Sequence, residues 1–328
     1  MKAFVAPKYG TPDVLELREV EKPAPQENEI LVKVHAASVN AYDWHLLTAD
    51  IFLVRLMGGG MRRPGNPYPG ADLAGVVDAV GSQVTQFKPG DAVYGERSGN
   101  RSGSFSEYAL SKEKILAPKP ANLSFEQAAA VPMAAVTALQ GLRDVGKIQS
   151  GQKVLVYGAA GGVGTFTVQL AKYFGGEVTA VCSTRNLEQS RTLGADHVVD
   201  YTKEDVTQSG QQFDLILAVN GNLPLSAYKR ILAPKGIYVM AGGKMRQIFE
   251  AMLLGSLRSE KGGRTMTNVP ATMKQADLVF LTGLLKAGQL IPVIDRRFPF
   301  SETPEAVRYL GAGHARGKIV INVSGGAN

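Results

Sequence analysis

The stretch that most constrains this chain is VLVYGAAGGVGTFTVQLAK, Val154 to Lys172. Val154, Leu155, Val156 and Tyr157 are apolar and mostly β-branched or aromatic, as a buried strand requires. A turn of small residues, Gly158 to Gly164, follows at once. Val163, Phe166, Thr167, Leu170 and Ala171 then recur at helical spacing, so the turn opens a helix. Strand, glycine turn and helix in this order form the first unit of a dinucleotide-binding fold. A pyrophosphate is held by backbone N–H groups that no side chain screens, and the helix N-terminus adds partial positive charge.

Read as G-x-G-x-x-G, the motif has Ala159 in its first position, with Gly161 and Gly164 in the others. Those glycines alone would equally suit a tight turn in an ordinary α/β domain. A second strand, Glu177 to Cys182, narrows the choice, because it ends in Ser183-Thr184-Arg185-Asn186, where such a fold meets the adenine ribose. A carboxylate there would accept from a 2′-hydroxyl. Hydroxyls and a guanidinium suit a 2′-phosphate instead, so the cofactor expected is NADPH.

The rest of the chain agrees with a globular α/β protein. Its 328 residues, 45% hydrophobic and 20% charged, suffice for two domains with a substantial core. No apolar run reaches the ~18 residues of a membrane span. The first residues, MKAFVAPKYG, lack the basic-then-apolar layout of a signal peptide, so a cytoplasmic location is expected. One cysteine, Cys182, excludes an intrachain disulfide, and its place at the end of a core strand predicts a buried, inert thiol. The net charge of +7 comes from Lys and Arg interleaved with acids. It suits attraction of a polyanionic cofactor as well as of nucleic acid, and nucleic acid is not the partner expected.

Residues 1–122 read as β-rich, with strands at Lys2–Ala6, Val14–Val20, Ile30–Val39 and Asp72–Val80. Glu16–Val20 and Ile30–Val34 alternate as half-buried antiparallel strands would, with EKPAPQENE a solvated turn between them. Arg55–Gly70 is too rich in Gly and Pro for regular structure and reads as a loop. Ser124 and Gln127 form a capping box ahead of an alanine-rich helix that breaks near Pro132. Residues 123–265 then alternate strand and helix, with strands at 154–157, 178–182, 197–199, 214–219 and 236–241, the pattern of a doubly wound parallel sheet. Met245, Ile248, Phe249 and Met252 share one face of a further helix. In residues 266–328, Thr303-Pro304 marks a helix start as N-cap and first helical residue, and GKIVINV reads as a strand returning to the first domain.

Taken together, these residues resemble the medium-chain dehydrogenase/reductase superfamily, in its zinc-free quinone oxidoreductase branch. The resemblance rests on PGADLAGVVDAVG, KPGDAVYG, Val136-Thr137-Ala138, GAAGGVG and LGADHVVDY, in that order. GHARGKIVIN is similar to the subgroup of the reticulon-interacting oxidoreductase and the chloroplast envelope quinone oxidoreductase homologue. It implies a Rossmann NADPH-binding domain beside a β-rich GroES-like catalytic domain. Where the alcohol dehydrogenases have their first catalytic Cys, this chain has Asn40, and their PGHE is here Pro69-Gly70-Ala71-Asp72, so no tetrahedral zinc site is expected. The four histidines, His35, His45, His197 and His314, show no ligand spacing.

Several site residues follow from the resemblance. Asn40 is implied near the nicotinamide ribose or substrate, Thr137 at the cofactor, and Gly161, Gly162, Val163 and Gly164 at the pyrophosphate. Ser183 and Arg185 are implied at the 2′-phosphate, with Tyr201 nearby; Leu187 lies where many relatives carry a Lys, which shifts the burden onto Arg185. Asn220, Gly242 and Gly243 are placed along the nicotinamide half, and His314, Ala315 and Arg316 at a C-terminal clasp on the cofactor. Tyr42 is the candidate proton donor. The expected activity is hydride transfer from NADPH to a small-molecule quinone or α,β-unsaturated carbonyl, in a homodimer. A zinc-dependent alcohol dehydrogenase and a regulatory or RNA-binding protein with little turnover remain as alternatives.

Overall fold

The computed structural model describes residues 1–49, 60–61, 63–219, 221, 223–242 and 263–324. The expected loop at 55–70 lies largely outside them, and the helix at 245–252 wholly so. The chain divides into two compact units, one of Met1–Met133, Met273–Gly288 and Pro292–Asn328, the other of Ala134–Thr272 and Gln289–Ile291.

The first unit is built on a sheet whose strands come from both ends of the chain. β1 (Lys2–Val5) and β2 (Glu16–Glu19) form a separate antiparallel pair. β3 (Ile30–Val39), β4 (Asp72–Val80), β5 (Ala92–Glu96), β6 (Tyr108–Ser111) and β7 (Leu116–Pro118) join β14 (Ile294–Pro299) and β15 (Lys318–Asn322) in the order β14-β15-β3-β4-β5-β7, with β6 also on β3. β15 lies antiparallel to β3, Ile319 facing Val39. The core holds alternate residues of these strands, among them Ile30, Val32, Leu73, Val93 and Ile319.

One strand expected to be half-buried differs. β2 does not pair with β3, and all four of its residues are exposed. Its only large apolar residue, Leu17, is itself 46% exposed, so alternation there reflects no buried face. α1 (Ala41–Thr48) follows β3 directly, α7 (Gln275–Lys286) packs by β7, and α8 (Thr303–Gly311) precedes β15. Thr303 is the first residue of α8 rather than its cap, a shift of one position.

The second unit is a six-stranded parallel sheet, β8 (Lys153–Tyr157), β9 (Glu177–Cys182), β10 (His197–Asp200), β11 (Phe213–Ala218), β12 (Leu232–Met240) and β13 (Thr265–Asn268). The strand order is β10-β9-β8-β11-β12-β13, so it reverses direction between β8 and β11. α2 (Phe125–Ala129), which belongs to the first unit, carries the Ser124–Gln127 capping box, and α3 (Pro132–Gln140), in the second unit from Ala134 on, begins at the expected proline. α4 (Gly162–Tyr173), α5 (Leu187–Thr192) and α6 (Leu225–Ile231) complete the described α-helices. Among the described residues, no helix is long and apolar enough to cross a membrane.

Candidate active site

In the parallel unit, the residues expected at the cofactor follow the carboxyl ends of the strands, where the order reverses. The turn after β8 opens with Gly158 at φ +83°, a left-handed conformation that an L side chain would strain. Ala159, in the first position of the motif, is fully buried, so the sharp bend falls one residue before it. At Gly164 an added Cβ would lie 2.1 Å from Gly158 O, which fixes how closely α4 approaches the turn. At Gly161 a Cβ would meet only Gly158 O at 3.7 Å, so the space above the turn is clear. Gly161 is the N-cap of α4 and makes no side-chain cap; the amides of Gly162, Val163 and Gly164 in the first turn have no intrahelical acceptor. A diphosphate fits such a cradle.

Beyond β9, Ser183 caps a short turn, Thr184–Asn186. Asn186 ties it down, donating its N–H to Ser183 O at 2.8 Å and Nδ2 to Ser183 Oγ at 3.1 Å. Thr184 donates to Asp200 at the end of β10, and Thr202 binds the other carboxylate oxygen through N at 3.0 Å and Oγ1 at 2.7 Å. These donors, Thr184 first, hold the Asp200 carboxyl down at about 2. Arg185 is exposed on this pinned turn. Tyr201, half exposed, lines a cavity of about 290 Å³ with Tyr157, Val181, Lys203 and Leu223. Gly242 follows β12 beside Val219, and Thr137 is half-buried in α3. Asn220 and Gly243 lie outside the described residues. Cys182 is buried, which pushes its thiol up.

In the first unit, polar groups cross the end of the sheet in register. Asn40, between β3 and α1, is buried and its amide is engaged at both ends. Its Oδ1 accepts from Lys318 Nζ, and its Nδ2 donates to Asp72 Oδ2 at 3.0 Å. Asp72 also accepts from Ser38 Oγ at 3.0 Å and from the N–H of Met133 at 3.1 Å, and Lys318 Nζ stands 3.7 Å from it. Burial pushes the Asp72 carboxyl up and the Lys318 ammonium down, each against the pull of the other's charge. Asp72 nonetheless collects three donors and Lys318 two acceptors, the surroundings of an ion pair. Asp43 Oδ2 accepts from the N–H of Asn40 at 2.8 Å. Burial pushes Asp43 up to about 7. Tyr42 is 45% exposed, and burial of its remainder raises the phenol.

The residues expected at a C-terminal clasp sit ahead of β15: His314 and Arg316 are exposed, while Ala315 packs on the core. The N–H of Arg316 donates to Asp295 Oδ2 at 3.0 Å. Asp43, Asp72, Glu96 and Lys318 had not been singled out from the sequence. Asp72 and Lys318 are each the first residue of a strand, where a charged residue usually marks a solvated strand end. Among the described residues, no group of three or more His, Cys, Asp or Glu side chains could hold a metal ion.

Comparison with known proteins agrees with this arrangement. The family model for the alcohol dehydrogenase GroES-like domain matches residues 26–121, and that for zinc-binding dehydrogenases matches residues 193–321. The 2-methylene-furan-3-one reductase of Solanum lycopersicum is 37% identical over 98% of this chain and 79% of its own. The chloroplastic NADPH-dependent alkenal/one oxidoreductase of Arabidopsis thaliana is 34% identical with the same coverage. Among solved structures, the quinone oxidoreductase from Coxiella burnetii superposes with a TM-score of 0.87 at 30% identity, over 98% of this chain and 99% of that one. Strand order, glycine turn and these likenesses agree: the chain belongs to the medium-chain dehydrogenase/reductase superfamily, as an oxidoreductase of its quinone oxidoreductase branch.

Proposed function

We propose that the chain reduces quinones or α,β-unsaturated carbonyl compounds with NADPH and without a metal. The observation that carries this reading is the engagement of Asn40. In the zinc alcohol dehydrogenases this position is a cysteine; here it is an amide bonded to a buried ammonium and a buried carboxylate. A divalent cation beside the Lys318 ammonium would be repelled at low dielectric. The acceptor must then take a hydride without a Lewis acid. A quinone or a conjugated carbonyl does so because the charge spreads into a phenolate or enolate. The names of the tomato and Arabidopsis relatives point to the same acceptor class.

NADPH, when bound, supplies the hydride. Gly161, Gly162, Val163 and Gly164 hold its diphosphate through backbone amides, Ser183 and Arg185 its 2′-phosphate, and Tyr201 lines the adenine end. Thr137, Asn220, Gly242 and Gly243 serve the nicotinamide half, and His314, Ala315 and Arg316 close on the cofactor. Asn40 and Tyr42 face the acceptor, Asn40 positioned by Lys318 and Asp72. A homodimer is the expected assembly, read by light scattering on the eluting protein. The deciding experiment follows NADPH oxidation against quinones, enals and saturated ketones, with and without a chelator. Turnover of the first two classes alone, unchanged by the chelator, is the expected result. Saturated ketones reduced only in the absence of chelator would overturn the reading.

A further inference from the structure

Two loops leave the carboxyl ends of β9 and β10 side by side, because the strands pair in register with Asp200 opposite Cys182. One is the 183–186 turn, and the other begins at Tyr201. The Tyr201 N–H donates to Cys182 O at 3.1 Å, and the N–H groups of Lys203 and Glu204 donate to Asp200 O at 2.9 and 3.0 Å. The loops are thus joined by backbone, and joined again where Thr184 donates to the Asp200 carboxylate.

These bonds decide which groups remain for a ligand. Asp200 Oδ1 takes the N–H and the hydroxyl of Thr202, and Oδ2 takes the hydroxyl of Thr184, so both threonine protons are spent on the carboxylate. Ser183 differs. Its Oγ accepts from Asn186 Nδ2 at 3.1 Å, which leaves its own proton to donate. Lys203 Nζ stands 3.7 Å from Asp200 Oδ2, the same oxygen that Thr184 holds, and that is too far for a hydrogen bond. Among the described residues its ammonium reaches no acceptor at hydrogen-bond distance, and its side chain is 67% exposed. Lys203 also lines the 290 Å³ cavity with Tyr157, Val181 and Tyr201. Glu204 and Asp205 share that lining, and Asp205 turns its Oδ1 to the Thr207 N–H at 2.9 Å. On the far side of the turn Leu187 carries no charge, and Arg191 is paired with Glu188 at 3.5 Å.

We propose that Lys203 binds the 2′-phosphate of NADPH together with Ser183 and Arg185, and so sets the preference over NADH. The assignment rests on the proposed function, which seats the adenine ribose at the 183–186 turn. A phosphate dianion between the two loops meets the Lys203 ammonium from one of them, and the Arg185 guanidinium and Ser183 hydroxyl from the other. The Asp200 charge, already met by three donors, leaves the ammonium to the phosphate. NADH presents a neutral hydroxyl at this point, which gains little from a cation.

Isothermal titration calorimetry of the full-length protein with NADPH and with NADH, which differ only by that phosphate, tests the assignment. The wild type is expected to bind NADPH more tightly than NADH. Lys203→Met keeps the reach of the side chain without its charge, and is expected to weaken NADPH about tenfold while barely moving NADH. Lys203→Arg keeps the charge and is expected to recover most of that loss. The wild-type affinity for NADPH should also fall more steeply with salt than that of Lys203→Met. Equal losses for both cofactors, or an unchanged NADPH affinity in Lys203→Met, overturn the role of Lys203. A wild type that binds the two cofactors alike overturns the choice of NADPH in the proposed function instead, so the wild-type titrations separate that failure from this one.

Discussion

Arg185 stands on a turn that Asn186 and Asp200 hold in shape, so its guanidinium is presented from a fixed base. Arg185→Ala should weaken NADPH by about 1–3 kcal/mol and leave NADH nearly unchanged, as fluorescence titration of the two cofactors would show. Equal losses for both would remove the 2′-phosphate from the argument. Gly164 makes a sharper case. A methyl there would sit 2.1 Å from Gly158 O, so Gly164→Ala must push α4 off the turn. The expected cost is about 1–3 kcal/mol of stability in a denaturant titration, with NADPH affinity falling alongside. At this scale the turn was legible from its small residues. The position of the bend was not: Gly158 carries the positive φ, and no spacing rule distinguishes it from Ala159.

Among the elements, β4 and β15 are tied by a charge pair across β3. Lys318→Met leaves Asp72 buried beside Ser38 and Asn40 without its cation, and the expected loss is about 3–5 kcal/mol. The double variant Lys318→Met with Asp72→Leu should recover much of it, because two apolar side chains leave no buried charge behind. Urea titrations of the wild type and three variants give the coupling directly. The strands themselves were readable. Val154–Tyr157 is a short apolar run and Ile30–Val39 a longer, mostly apolar one, and their β-branched residues favour a strand. β2 is an antiparallel strand as read, but not a half-buried one, since none of Glu16–Glu19 is buried. The polar row escaped notice because its members are scattered over residues 38–318 and only strand pairing assembles them.

For the whole molecule, opposed shifts give stability a pH dependence with two limbs. Asp43 and Glu96, raised to about 7 and about 8, hold a proton in the folded state that the unfolded chain releases near 4. Between those values the folded form binds more protons, so stability falls as pH rises. Asp200, lowered to about 2, acts the other way: its contribution is complete above about 4 and is lost as pH falls through 2. Glu96→Gln should therefore gain on the wild type steadily from pH 5.5 to pH 8.5, measured as the difference in Tm at each pH. A constant difference would mean that Glu96 titrates alike in both states. One further consequence follows from β15, which enters between β14 and β3. On the ribosome, residues 153–268 emerge before it, whereas Asp72 waits inside an unfinished sheet for the cation carried by the last strand. The first unit is begun first and finished last, so a nascent chain stalled before Lys318 should be cut by protease there while the parallel-sheet unit already resists.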